Sequence, residues 1–211
     1  MPTIEQARTW YADSDPVHDF DHILRVYNMA ERLGAQMGAD MDILRAAALL
    51  HDAEGATPGG AGRKEHHLAS AEFAERVLSE EGWPAERIAA VQHCIRAHRF
   101  RGTGEGPQTV EARVLFDADK LDVLGAIGVA RVVAYAALNR QPIYAQPSAR
   151  FLASGEKEPG EMHSAYHEHL FKLVKIKGRL FTPAARAIAE ERETYLGEFF
   201  QRLGKEIAGE I

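Results

Sequence analysis

Two imidazoles and two carboxylates in this chain have the spacing to do chemistry together: His22, the adjacent pair His51-Asp52, and Asp119. The pair ends the run Ala46-Ala47-Ala48-Leu49-Leu50, and Leu44, Ala47 and His51 stand three and four residues apart. At helical periodicity that spacing turns His51 into the apolar stripe and away from the wet face. Asp52 follows at the lip of the core, where a buried carboxylate without a positive partner would be costly. A divalent metal ion meets that need. Taken alone, a His-Asp pair at a helix end is an ordinary capping or solvated pair, so the reading depends on further ligands. His22 is one, because His22, Val26, Met29 and Leu33 share a helix face. Asp119 is another, four residues after Leu115 on the apolar side of its own helix. This mixed nitrogen and oxygen set suits manganese, iron, cobalt, nickel or zinc better than calcium, and magnesium is also admitted. An ion that accepts six ligands would keep positions for water and a substrate oxygen.

Several separate helices must position these groups. Thr3 and Gln6 form the pattern of a capping box for a short helix over 3–13. A second helix opens near His18 and His22 and runs to Met37; Arg25, three residues after His22, can face the mouth of the site. Asp42 is placed to cap the helix that ends at His51. The glycine-rich stretch 55–63 reads as a mobile loop, and it lacks the Gly-Lys-Ser/Thr of a phosphate-cradling loop. A helix over 65–81 begins with His66 and His67, and one from Pro84 to residue 99 carries His93 and His98 five residues apart. Only one of His66 and His67 can face the pocket, and His67 is taken as that residue. Gly102 to Thr109 reads as a second loop. Residues 110–138 are helical with a break near Gly125 and Gly128, and Lys120 beside Asp119 can stabilise charge developing on a phosphate. Residues 139–160 form a connection long enough to be a lid, and 162–178 and 183–208 read as two more helices. With no alternating strand pattern of useful length, the fold class is all-α.

The chain has 211 residues, 45% hydrophobic and 27% charged, as expected for one globular domain with a helical extension at its C-terminal end. A net charge of −6 argues against a general binder of large nucleic acids or of anionic membranes. The one cysteine, Cys94, excludes an internal disulfide framework, and no secretory signal is visible. The apolar stretch from Val123 to Leu138 is too short to span a bilayer and contains Arg131. These features lead to the expectation of a cytoplasmic protein, with homodimerisation left open.

The order His22, His51-Asp52, Asp119 resembles the H…HD…D signature of the HD superfamily of metal-dependent phosphohydrolases. The resemblance extends through His18-Asp-Phe-Asp-His22-Ile-Leu-Arg25-Val26, Val91-Gln-His93-Cys-Ile-Arg-Ala-His98, and Asp117-Ala-Asp119-Lys120-Leu121-Asp122. It continues through His169-Leu-Phe-Lys172-Leu173, Thr182 and Arg192, and so covers about residues 16–205. The chain looks most like the stand-alone bacterial branch of that superfamily.

The resemblance implies an HD-domain helical bundle holding a divalent metal ion on His22, His51, Asp52 and Asp119. It implies hydrolysis of a phosphate ester or anhydride of a small metabolite, a nucleotide first among them, commonly with manganese. Some similar proteins cleave nucleoside triphosphates to the monophosphate and pyrophosphate. Asp52 would hold the metal and orient water. Glu54 falls two residues after Asp52, where some HD nucleotidases carry a catalytic glutamate three residues on. His67, His93 and His98 stand where other HD proteins bind a second metal or contact phosphate. The alternatives within the superfamily are a di-iron oxygenase and a non-catalytic metal-dependent sensor or binding module.

Overall fold

A computed structural model of the protein describes residues 1–11, 19–54, 65–99 and 104–211. Every regular element among these residues is helical, so the fold class is all-α. The expected loop at 55–63, and His18, lie outside the described residues, as does the start of the loop expected from Gly102. The chain forms two compact units, Met1–Asp119 and Lys120–Ile211. All four residues of the H…HD…D pattern belong to the first.

The first unit is organised around one apolar helix. Helix α1 (Ile4–Arg8) starts in the expected capping box: Thr3 accepts from the Gln6 backbone, and the Gln6 side chain accepts from Thr3. A 3-10 turn, Thr9–Tyr11, continues it. Helix α2 (Phe20–Met37) is capped by Asp19 and closed by Gly38, whose φ of +67° is the left-handed conformation that glycine adopts without strain. Helix α3 (Met41–Leu50) buries Leu44, Ala46, Ala47, Ala48, Leu49 and Leu50. It packs on α2, on α4 (His66–Glu80) and on α5 (Ala85–Ala97). The Leu44 side chain is fully buried, a burial that stabilises by about 1.5–3 kcal/mol.

The cap of α3 differs from expectation. Asp40, not Asp42, receives the backbone N–H groups of Asp42 and Ile43. Arg87 grips the same carboxylate through two hydrogen bonds, and the Glu111 carboxylate accepts from the Asp40 backbone. Asp40 wins because its extended backbone places it at the N-cap, while Asp42 is already inside the first turn.

Helix α6 (Val110–Leu121) carries Asp119 in its last turn, and buries Ala112, Val114, Leu115, Phe116 and Ala118 on the way. The expected break follows: α6 ends at Leu121 and α7 (Gly125–Leu138) begins at Gly125. A Cβ at Gly128 would lie 2.3 Å from the Val123 carbonyl oxygen, so this turn admits only glycine there.

In the second unit α7 packs on α10 (Pro183–Ala208), which starts at the cap Thr182, and on α9 (Ala165–Phe171). Between α7 and α9 the segment expected as a long loop contains a short helix, α8 (Ala149–Ser154). Glu161 ties this segment together. Its carboxylate accepts from the backbones of Ser148 and Glu158 and from the Ser148 hydroxyl, and contacts His167 Nε2 at 3.0 Å.

Two predictions follow from these contacts. Leu44→Ala should destabilise the protein by about 2–5 kcal/mol, read as a lower urea midpoint with unchanged cooperativity. The backbone N–H of Ser148, outweighing desolvation, and the other donors hold the Glu161 carboxyl down at about 2 against an ordinary 4.5. Its stabilising contribution is therefore complete above pH 4.5 and lost as the pH falls toward 2. Glu161→Gln should flatten the acid limb of the stability–pH profile measured by denaturant titration.

Candidate metal centre

Helix α3 delivers His51 as its C-terminal cap, fully buried, and Asp52 one residue later. From the first turn of α2, whose N-cap Asp19 accepts the His22 backbone N–H, comes His22, 1% exposed. The last turn of α6 supplies Asp119. His22 Nε2 lies 3.5 Å from Asp119 Oδ1, and the rings of His22 and His51 stand edge to face with centroids 5.6 Å apart. One ligand atom each from His22, His51 and Asp119 falls within 4.8 Å of the others. His51 Nε2 is 3.8 Å from Asp52 Oδ2, which joins the fourth residue to this group. The first unit thus gathers all four residues of the pattern.

Asp52 belongs to a second group as well. His66 Nε2 lies 3.1 Å and His98 Nε2 3.4 Å from its Oδ1, and these three residues also offer ligand atoms within 4.8 Å of one another. The side chains of Asp52 and Asp119 keep 14% and 15% exposure, against 2% for His22 and none for His51. The carboxylates therefore form the rim and the imidazoles the floor.

Hydrogen bonds to the far side of two rings settle which nitrogen faces inward. His51 Nδ1 is 2.8 Å from the Ala48 carbonyl and His98 Nδ1 is 2.5 Å from the Ile95 carbonyl. A carbonyl only accepts, so each ring carries its proton on Nδ1 and turns the Nε2 lone pair inward. His51 Nε2 is buried with no hydrogen-bond partner among the described residues, while the buried Asp52 Oδ1 has the Nε2 atoms of His66 and His98 beside it. A buried lone pair 3.8 Å from the anionic Oδ2 of Asp52 is an unfavourable arrangement that a cation resolves. The residues present fit a divalent metal ion, and the nitrogen and oxygen donors fit a first-row transition ion or magnesium better than calcium.

The electrostatics agree. Burial alone would raise the Asp52 carboxyl, but the pull of His51 and the close contacts of His66 and His98 outweigh it and hold it well below the usual range. Burial pushes the His98 imidazole down despite the nearby Asp52, and lowers His67 to about 4 with help from His98, His66 and Arg99. Neutral imidazoles and an ionised carboxylate are the forms that ligate metals. Tyr11 donates to the Leu49 carbonyl at 2.9 Å behind this helix end, and burial together with the Asp52 charge raises its phenol.

Other expected residues stand elsewhere. His93 is turned away: Nδ1 meets the Glu105 carboxylate at 2.5 Å and Nε2 accepts from the Gln108 backbone at 3.1 Å, so the ring pins residues 105–108 to α5. The Glu54 carboxylate lies 3.9 Å from Arg76, with its side chain 46% exposed, while its backbone is held by Ser70. His67 lies in neither ligand group, although its Nδ1 is buried without a hydrogen-bond partner among the described residues; His66 takes the inward position. Arg25 is half-buried on α2, and Lys120 follows Asp119 as the first residue of the second unit. Asp122 is bound to Arg131 at 2.5 Å. Cys94 is buried, and burial raises its thiol, so it is not poised for chemistry.

Comparison with known proteins agrees with this picture. The family model described as HD domain matches residues 19–124, which span α2 through the end of α6 and contain His22, His51, Asp52 and Asp119. The chain belongs to the HD domain family. Within it, the chain is 31% identical to YpgQ of Bacillus subtilis strain 168 over 212 residues, covering 97% of this chain and 94% of YpgQ. The crystal structure of Bacillus subtilis YpgQ in complex with ADP superposes with a TM-score of 0.74 at 28% identity, over 98% of this chain and 99% of that one. An HD-superfamily hydrolase from Bacillus thuringiensis gives a TM-score of 0.68 at 28% identity, over 97% and 96% of the two chains. The fold is that of the HD-superfamily hydrolases.

Manganese at a free concentration a hundredfold above its dissociation constant should stabilise the protein by about 2.7 kcal/mol, seen as a raised melting temperature that a chelator reverses. Asp52→Ala should abolish the shift, and His93→Ala should retain it.

Proposed function

We propose that this protein is a metal-dependent phosphohydrolase that cleaves a phosphate ester or anhydride of a small metabolite, with a nucleotide as the leading substrate class. The observation that carries the reading is His51 Nε2, buried with no hydrogen-bond partner among the described residues, within the His22, His51, Asp119 cluster and 3.8 Å from the Asp52 carboxylate. The ADP complex of YpgQ supports the nucleotide class. A cleavage of nucleoside triphosphate to monophosphate and pyrophosphate fits the same reading. Among the described residues no single helix is long and apolar enough to cross a membrane, which suits a small-molecule substrate met in water.

His22, His51, Asp52 and Asp119 would hold the ion. Bound there, a divalent cation supplies Lewis-acid polarisation of a phosphoryl oxygen and lowers the pKa of a coordinated water. Asp52, kept ionised and at the rim, orients the attacking water by accepting its hydrogen bond. His98 and His66 line the same side of Asp52, where His66 turns an N–H that can orient a phosphoryl oxygen and His98 turns a lone pair. Lys120 and Arg25 would add positive charge toward the leaving group. Glu54 would need to swing away from Arg76 to assist.

The test is turnover on a panel of nucleoside mono-, di- and triphosphates with manganese, resolving phosphate, pyrophosphate and nucleotide products. Chelation and Asp52→Ala should each lower turnover by about a hundredfold or more, with folding confirmed by circular dichroism. Turnover that survives both would reject the metal-dependent mechanism. The Asp52, His66, His98 group gives a second reading its footing. Paired iron together with substrate-dependent oxygen consumption would replace hydrolysis by oxygenase chemistry.

A further inference from the structure

His66 sits beside Asp52, and its far nitrogen decides what it can do there. Arg99 Nη1 lies 2.8 Å from His66 Nδ1. A guanidinium has donors and no acceptor, so His66 Nδ1 must present its lone pair to Arg99. The ring proton then resides on Nε2, the nitrogen 3.1 Å from Asp52 Oδ1. This is the reverse of His51 and His98, whose Nδ1 atoms face the carbonyls of Ala48 and Ile95. Of the three imidazoles around Asp52, two turn lone pairs inward and one turns an N–H inward.

A metal ion binds a lone pair. For His66 to ligate through Nε2, either the ring must become an imidazolate or the Arg99 hydrogen bond must break. Without His66, the second group retains Asp52 and His98, two protein ligands where stable sites use three or four. His67 does not replace it, because its nitrogens lie outside both ligand groups.

We infer that Arg99 restricts the centre to one metal ion by locking His66 in the Nε2–H form. His66 thereby turns an N–H toward the Asp52 carboxylate and toward an oxygen of a bound phosphate, and is not a ligand. Arg99 is a positioning residue that acts through His66. This inference rests on the reading of His22, His51, Asp52 and Asp119 as a metal centre, and the experiment separates the two.

Manganese is titrated into the wild-type chain, Arg99→Met, and the double variant Arg99→Met/His66→Ala, with bound metal counted by elemental analysis after desalting and by calorimetry. The expected stoichiometry is one ion for wild type, two for Arg99→Met, and one again for the double variant. Two ions on wild type, or a folded Arg99→Met that still binds one, overturns the inference while leaving the metal centre in place. No ion on wild type overturns the metal centre itself. Should Arg99→Met fail to fold, the His66 tautomer is read in zinc-loaded wild-type protein by nitrogen-15 NMR. A proton on Nε2 supports the inference, and a proton on Nδ1 or zinc bound at Nε2 overturns it.

Discussion

Taking the Asp52 carboxylate out of water costs several kcal/mol unless charged or hydrogen-bonding partners surround it, and the first unit is arranged to supply them. Helix α3 brings the carboxylate there because nearly its whole length is apolar and buried between neighbouring helices. The partners come from three other positions in the chain: His51 from the same helix end, His66 from the start of α4, and His98 from the end of α5. Each imidazole is delivered at a helix terminus or first turn. A helix terminus can place a polar group at the rim of a core without opening a hole in it.

The chemistry of those imidazoles depends on groups that never touch the centre. The carbonyls of Ala48 and Ile95 fix the tautomers of His51 and His98, while the Arg99 guanidinium fixes that of His66. Main-chain acceptors left over at helix C-termini serve two of the rings, so the helix ends that present the histidines also orient them. His93 shows the same residue type put to another use. On α5, five residues before His98, it points about 140° around the helix and becomes a strut for residues 105–108.

The second unit shows a comparable economy of charge placement. Asp122 is matched by Arg131, and the Glu161 carboxylate collects the otherwise loose donors of Ser148 and Glu158. Arg192 donates to the Leu121 carbonyl at the end of α6, and its side chain also packs where Gly125 lacks a Cβ. These contacts order a connection that composition alone reads as a loop.

Much of the arrangement was legible before any coordinates. The three-and-four spacing of His51 with Leu44 and Ala47, and of Asp119 with Leu115, is a local property of a helix, so inward placement could be read directly. The break before Gly125 and the capping box at Thr3 were legible for the same reason. Less accessible were choices between adjacent residues: Asp40 or Asp42 as a cap, His66 or His67 as the inward ring. Neighbours differ by about 100° around a helix, and α4 starts at Glu65 without a side-chain cap that would mark its phase. The sequence by itself determined an all-helical chain with histidines and carboxylates converging from several helices, because periodicity and helix sterics act over short stretches. Only the tertiary structure decided which nitrogen of His66 faces Asp52, because the group opposing it, Arg99, lies far along the chain.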